Sequence, residues 1–145
     1  MKPSNRKRKK ALKRIERGER VLLLLEALAE KAGGGVPILV EGKRDVEALR
    51  RLGVEGSIVG VKASRVSLKE AVERLPGKPG EIILLMDFDR AGVKLTSTLA
   101  RRLEAGGFHP NLEFWLKLKS LLGREVKDVE GLASYLENVK REVCL

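Results

Sequence analysis

Ile82-Ile83-Leu84-Leu85-Met86 is an unbroken apolar run, closed at once by Asp87-Phe88-Asp89-Arg90-Ala91-Gly92. A short run with no polar side fits a strand buried on both faces, and parallel sheets covered by helices are where such strands occur. The pattern is found earlier too: Val36 to Val40 runs straight into Glu41-Gly42-Lys43-Arg44-Asp45, and Ser57 to Val61 is a third, β-branched stretch. Between these lie segments of helical period. Arg44 to Leu52 carries Val46, Leu49 and Leu52 on one face before Gly53. Ser67 to Leu75 opens with a capping box, Ser67 followed by Glu70, and ends in Pro76-Gly77-Lys78-Pro79-Gly80. Gly92 to Ala105 is closed by Gly106-Gly107. Leu112 to Leu118 sets Leu112, Phe114, Leu116 and Leu118 against Glu113, Trp115 and Lys117, which predicts a fourth strand near a sheet edge. Val129 to Val139 predicts a last amphipathic helix. The fold class that follows is α/β: a Rossmann-like parallel sheet of about four strands, helices on both faces, right-handed crossovers.

Ahead of this alternation, Asn5 to Lys31 lacks proline and is rich in good helix formers, with Ala11, Leu12, Ile15, Leu22, Leu25 and Leu28 at roughly helical spacing. Its second half is expected to lie on the core and its first half to project. Gly33-Gly34-Gly35 ends it and, lacking a following Lys-Ser/Thr, is no phosphate-binding P-loop. The net charge of +10 is concentrated here: residues 1 to 20 hold ten Lys or Arg against Glu16 and Glu19, leaving only +2 for the remainder. Arg6, Lys7, Arg8, Lys9 and Lys10 form a cluster able to track phosphates without sequence preference. The plainer alternative is a solvated start that aids solubility. The organisation read from the sequence is a basic helical extension at 1–33, a central α/β domain at 34–120 and a C-terminal helix at 121–145 packed on it.

The longest apolar run, Val21 to Leu25, is far too short to span a bilayer, and nothing resembles a secretory leader. One cysteine, Cys144, argues for neither a disulfide framework nor a thiolate metal site, and a soluble, cytoplasmic protein is expected. His109, the one histidine, is read as structural or incidental.

The acids after the two strongest strands carry the chemistry. Strand ends of an open parallel sheet border the crevice where ligands bind. Glu41 leaves its strand just before Gly42, which permits a sharp turn. Asp87 and Asp89 are two apart, so in extended geometry both face one way while Phe88 packs on the other. Brought side by side, such carboxylates suit a hard divalent cation. Each also has a structural alternative: Asp87 or Asp89 as the N-cap of the helix that follows, Asp45 as a stabiliser of its own helix start.

The pair of motifs, E-G-x-x-D at Glu41, Gly42 and Asp45 and D-x-D-x-x-G at Asp87, Asp89 and Gly92, resembles the Toprim domain. That domain is shared by topoisomerases, bacterial-type primases, overcoming-lysogenization-defect nucleases and the ribonuclease that matures 5S ribosomal RNA. The match covers roughly Val36 to Lys119, and the chain is similar in size to the small Toprim proteins of archaea. The resemblance implies a Toprim-like sheet with Glu41 as general acid or base and metal neighbour, and Asp87 and Asp89 coordinating Mg2+, with Mn2+ as a substitute. Asp45, Gly42 and Gly92 would support them. Phe88 stands where many members have proline. Tyr135 is the one tyrosine, in a late helix, so topoisomerase chemistry is not expected, and the zinc-binding and helicase-contacting domains of a replicative primase do not fit the length.

The function expected is Mg2+-dependent cleavage of, or phosphoryl or nucleotidyl transfer on, RNA or DNA. The alternative is a non-catalytic nucleic-acid-binding module within an RNA-processing or replication assembly. Lys43 and Arg44 either reach a phosphate beside the metal or form a solvated turn, and Lys62, Ser64 and Arg65 lie at the same predicted rim. With aromatics at 3% of residues, base stacking has little surface to use.

Overall fold

The computed structural model describes residues 4–62, 67–75 and 80–143. Ser64, Arg65, the turn at 76–79 and Cys144 lie outside them. The elements run α1 (Asn5–Gly33), β1 (Ile38–Val40), α2 (Lys43–Arg51), β2 (Ile58–Gly60), α3 (Leu68–Glu73), β3 (Glu81–Leu85), α4 (Arg90–Ala105), β4 (His109–Asn111), α5 (Glu113–Leu122) and α6 (Val129–Val143). The four strands form one sheet in the order β2-β1-β3-β4, every pair parallel. Val40 pairs with Gly60 on one side and Leu85 on the other, so the strands flanking β1 end at one level.

The unbroken apolar runs are explained by two cores, one on each face. Ile38, Val40, Ile83 and Leu85 point into a cluster with Val21, Leu25 and Leu28 of α1, Leu49 of α2, and side chains of α5 and α6. Leu39, Ile82, Leu84 and Met86 point the other way, against Leu99 and Leu103 of α4. Successive side chains on a strand alternate faces, so a run apolar at every position is the signature of this double burial.

Helix α1 packs against α5 and α6 and is anchored by two ion pairs. Near its C-terminus Lys31 Nζ binds both carboxylate oxygens of Glu81, at 3.0 and 2.9 Å, where β3 begins. Asn111 and Lys31 together hold the Glu81 carboxyl below its ordinary range. Farther up, Arg17 pairs with Glu125 at 2.8 Å, in the connection between α5 and α6, and its guanidinium stands over the Tyr135 ring. Burial begins at Gly18 and continues through Val21, Leu25, Leu28 and Ala32. A Cβ on Gly18 would stand 2.7 Å from Val139 Cγ1, so the missing side chain is what lets α1 approach α6. Leu12 and Ile15, expected on the apolar stripe, are exposed, because α1 has left the sheet behind by that point.

The strand expected at Leu112 to Leu118 is instead α5, and the fourth strand is the preceding His109–Asn111. Seven residues of imperfect alternation are compatible with both periods, and tertiary burial decides between them. Phe114, Trp115, Leu118 and Leu122 are the buried positions, a helical spacing that leaves Leu116 in solvent. The Asn111 side chain accepts from the Glu113 N–H at 2.9 Å to start the helix, and Lys117 reaches Glu113 at 2.6 Å one turn on. His109 is exposed on β4, where its N–H donates to the Gly80 carbonyl at 2.9 Å. No helix among the described residues is long and apolar enough to cross a membrane.

Candidate functional site

In the order β2-β1-β3-β4 the chain leaves β1 toward one sheet edge and β3 toward the other. The switch point therefore lies between β1 and β3, the place where open parallel sheets bind ligands beyond the strand C-termini. Glu41 follows β1 and Asp87 follows β3, one on each side of that crevice.

The backbone amide of Asp87 donates to Glu41 Oε1 at 3.2 Å, which fixes the two acids side by side. The other Glu41 oxygen, Oε2, accepts from Lys62 Nζ at 3.2 Å. Glu41 is buried while the Lys62 side chain is 67% exposed, so the acid is held and the base is free to swing. Burial pushes the Asp87 carboxyl up to about 7, and the charges of Glu41, Asp45 and Asp128 add to it. Asp45 is raised as well, by burial first, against the lowering effect of the N–H groups it accepts.

Asp45 ties two helices together at this point. Its Oδ2 accepts from the Gly42 N–H at 3.1 Å, closing the first turn of α2, and its Oδ1 accepts from the Glu130 N–H at 3.2 Å at the start of α6. Gly42 itself supplies the extended N-cap of α2.

Asp89 takes the capping role. Its Oδ1 accepts from the Gly92 N–H at 2.8 Å as N-cap of α4, and its Oδ2 stands 3.9 Å from Lys127 Nζ. Phe88 turns into the core between the two aspartates. Among the described residues no three Asp, Glu, His or Cys side chains are spaced to enclose one ion, so Glu41, Asp87 and Asp89 do not form a ready-made cage. What is in place is the Glu41–Asp87 carboxylate pair, an all-oxygen donor set, with the charge of Asp128 bearing on Asp87. That set fits Mg2+, which keeps several waters and is bound through one or two carboxylates plus phosphate oxygens.

Two further groups shape the site without a motif to announce them. The Trp115 indole donates to the Met86 carbonyl at 2.9 Å, and the Phe88 N–H donates to the Lys127 carbonyl at 2.7 Å, so α5 and the segment after it clamp the chain on either side of Asp87. Gly92 closes the clamp from the α4 side: a Cβ there would collide with the Asp87 carbonyl oxygen. Asp128 Oδ1 accepts from the Gly131 N–H at 2.7 Å, which holds it at the start of α6. Sequence reasoning placed Trp115 on the solvent side of a strand and had no reason to single out Asp128, because a cap in a charged loop carries no spacing signal. Lys43 is exposed at the first position of α2, and Arg6, Lys7, Arg8, Lys9 and Lys10 are exposed on the first turns of α1.

The Toprim domain family model matches residues 36–114. The UPF0292 protein of Methanosarcina barkeri is 39% identical over 125 residues, spanning 86% of each chain. That of Methanocaldococcus jannaschii is 34% identical over 125 residues, 86% of this chain and 96% of the relative. A solved structure of a protein from Aquifex aeolicus superposes with a TM-score of 0.62 at 28% identity, covering 74% of this chain and 93% of that one. With its double-faced parallel sheet, the chain belongs to the Toprim family, in the UPF0292 group shared with these archaeal proteins.

Proposed function

We propose that the protein is a Mg2+-dependent enzyme of nucleic acid that cleaves a phosphodiester or transfers a phosphoryl or nucleotidyl group, working in the cytoplasm. The observation that carries this reading is the placement of Glu41 and Asp87 at the ends of adjacent parallel strands across the switch point, joined by the 3.2 Å contact between the Asp87 N–H and Glu41 Oε1. Glu41 and Asp87, with the second oxygen of Asp89, would hold the ion, which when bound supplies charge neutralisation at the phosphate and lowers the pKa of water. Glu41 moves a proton to or from the attacking or leaving oxygen at Oε2, the atom that now faces Lys62. Lys62, released from that pair, and Lys43 at the start of α2 bind phosphate oxygens. Asp45 and Gly92 are positioning residues, one for the Gly42 turn and one for the Asp87 backbone.

A second reading is favoured by one specific observation: Glu41 is already ion-paired and Asp89 is already a cap, as in a site that grips phosphate without cutting. A non-catalytic nucleic-acid-binding module in a processing or replication assembly would look like this. Glu41→Gln assayed on labelled RNA and DNA with Mg2+ separates the two. The enzyme reading expects product formation to fall by about 10²–10⁴ with binding retained. A wild-type protein that makes no Mg2+-dependent product from either panel leaves the module reading, and a variant that cuts like wild type removes Glu41 from the chemistry.

A further inference from the structure

The basic half of α1 begins where Arg17 reaches the connection between α5 and α6. Lys31 ties the C-terminal end of α1 to the start of β3 through Glu81, and Arg17 ties its middle to the α5–α6 connection through Glu125. The segment that carries Glu125 also carries Lys127, whose carbonyl holds Phe88, and Asp128, whose charge bears on Asp87. At about 1.5 Å per residue the helix from Asn5 to Glu16 runs about 18 Å ahead of the Arg17 anchor.

This arm is a rod of positive charge whose residues 5–10 are all exposed among the described residues. Lys7, Lys10, Lys13, Arg14 and Arg17 line one groove of about 600 Å³ along it, with Glu125 at its root. Arg6, Arg8 and Lys9 cover other sides. Bases three and four apart repel one another, and the first turn holds no acid to complement the helix dipole. The rod is thus electrostatically frustrated by itself and relieved by a polyanion.

We propose that the arm is a docking rail for duplex nucleic acid, DNA or RNA; this rests on the reading that the crevice acts on nucleic acid. The preference for a duplex over a single strand follows from two observations. Phe88, Phe114 and Trp115 are buried and Phe108 and Tyr135 half-buried, so the protein presents no exposed aromatic platform on which unpaired bases would stack. What remains is charge, and a duplex carries two strands' phosphates, about one charge per 1.7 Å of axis, and releases more counterions per contact than a single strand. Leu12 and Ile15 are too few and too far from a continuous stripe to make the arm a membrane-surface helix.

The test is fluorescence anisotropy of the full chain in EDTA, over a salt series, with labelled duplexes of about 30 base pairs in DNA and RNA and with their separated strands. The duplexes are expected to bind at least about tenfold more tightly than the strands. Lys7→Gln/Lys10→Gln/Lys13→Gln/Arg14→Gln, which keeps Arg17 and the packed half of α1, should lose about 10²-fold in duplex affinity and flatten the log–log salt slope by about 3. An unchanged melting temperature shows that this variant is folded. Strands bound as tightly as duplexes, an unchanged slope in the variant, or equal retention on anionic phosphatidylserine vesicles would each overturn the proposal. A preference between the DNA and RNA duplexes supports it and identifies the source. Because metal is absent from the binding assay, duplex binding without Mg2+-dependent product contradicts only the catalytic reading, while product made from strands in preference to duplexes contradicts only the rail.

Discussion

At the scale of single residues, the site is built against its own stability. Asp87 is held up to about 7 by burial and by the acids around it, against an ordinary 3.8. Its folded pKa lies above its unfolded one, so the stability it contributes is present below about pH 4 and is lost as pH rises toward 7; Asp45 acts in the same direction. Asp87→Asn should therefore raise the melting temperature of the metal-free protein at pH 8, by on the order of 3 °C for about 1 kcal/mol once solvent screening is allowed for, and leave it nearly unchanged at pH 4. A melt that falls at pH 8 would show that the carboxylate is not under strain. Metal binding must displace the same proton, so Mg2+ affinity should fall about tenfold per pH unit below 7 and level off above it, as calorimetric titration at several pH values would show. The acids themselves were legible in the sequence, because a carboxylate placed at the end of an unbroken apolar run has few other reasons to be there. Asp89 shows the limit of that reasoning, since the spacing that suits a ligand also suits an N-cap, and the structure uses it as a cap.

At the scale of elements, the site is a product of helix packing at the ends of β1 and β3. Gly92 brings the first turn of α4 against the Asp87 backbone, where an added methyl meets a carbonyl that cannot move aside. Gly92→Ala is expected to cost about 2–4 kcal/mol in chemical denaturation, far beyond any gain in helix propensity, and to displace Asp87. A neutral or stabilised variant would contradict that close approach. Helix α5 was misjudged as a strand because its alternating residues satisfy period two over a short window, whereas the indole that reaches Met86 is visible only once the helix is folded. Trp115 is the one tryptophan in the chain and it binds the carbonyl next to Asp87. Its emission should be blue-shifted, as for a buried indole, and should respond to Mg2+ with the same affinity as the calorimetric signal. Emission that is flat through a saturating titration would place the ion elsewhere.

At the scale of the whole molecule, a basic rod and an acidic crevice are carried on one α/β fold. The alternation of strands and helices, and with it the parallel sheet, was readable from composition and period. The direction of α1 across the sheet was not, because it depends on two long-range ion pairs, Lys31 with Glu81 and Arg17 with Glu125, that no local pattern encodes. Since burial on α1 starts at Gly18, removing residues 1–14 should leave the melting temperature within about 2 °C while weakening the salt dependence of nucleic-acid binding. A large loss of stability would mean that the arm belongs to the core. The claim on which all of this depends is that the acids after β1 and β3 share a divalent ion. Electron paramagnetic resonance of Mn2+ titrated into wild type, Glu41→Gln and Asp87→Asn tests it most directly. The account predicts bound Mn2+ in the wild type, displaced by Mg2+, and at least about tenfold weaker binding in each variant; equal binding by all three proteins would contradict it.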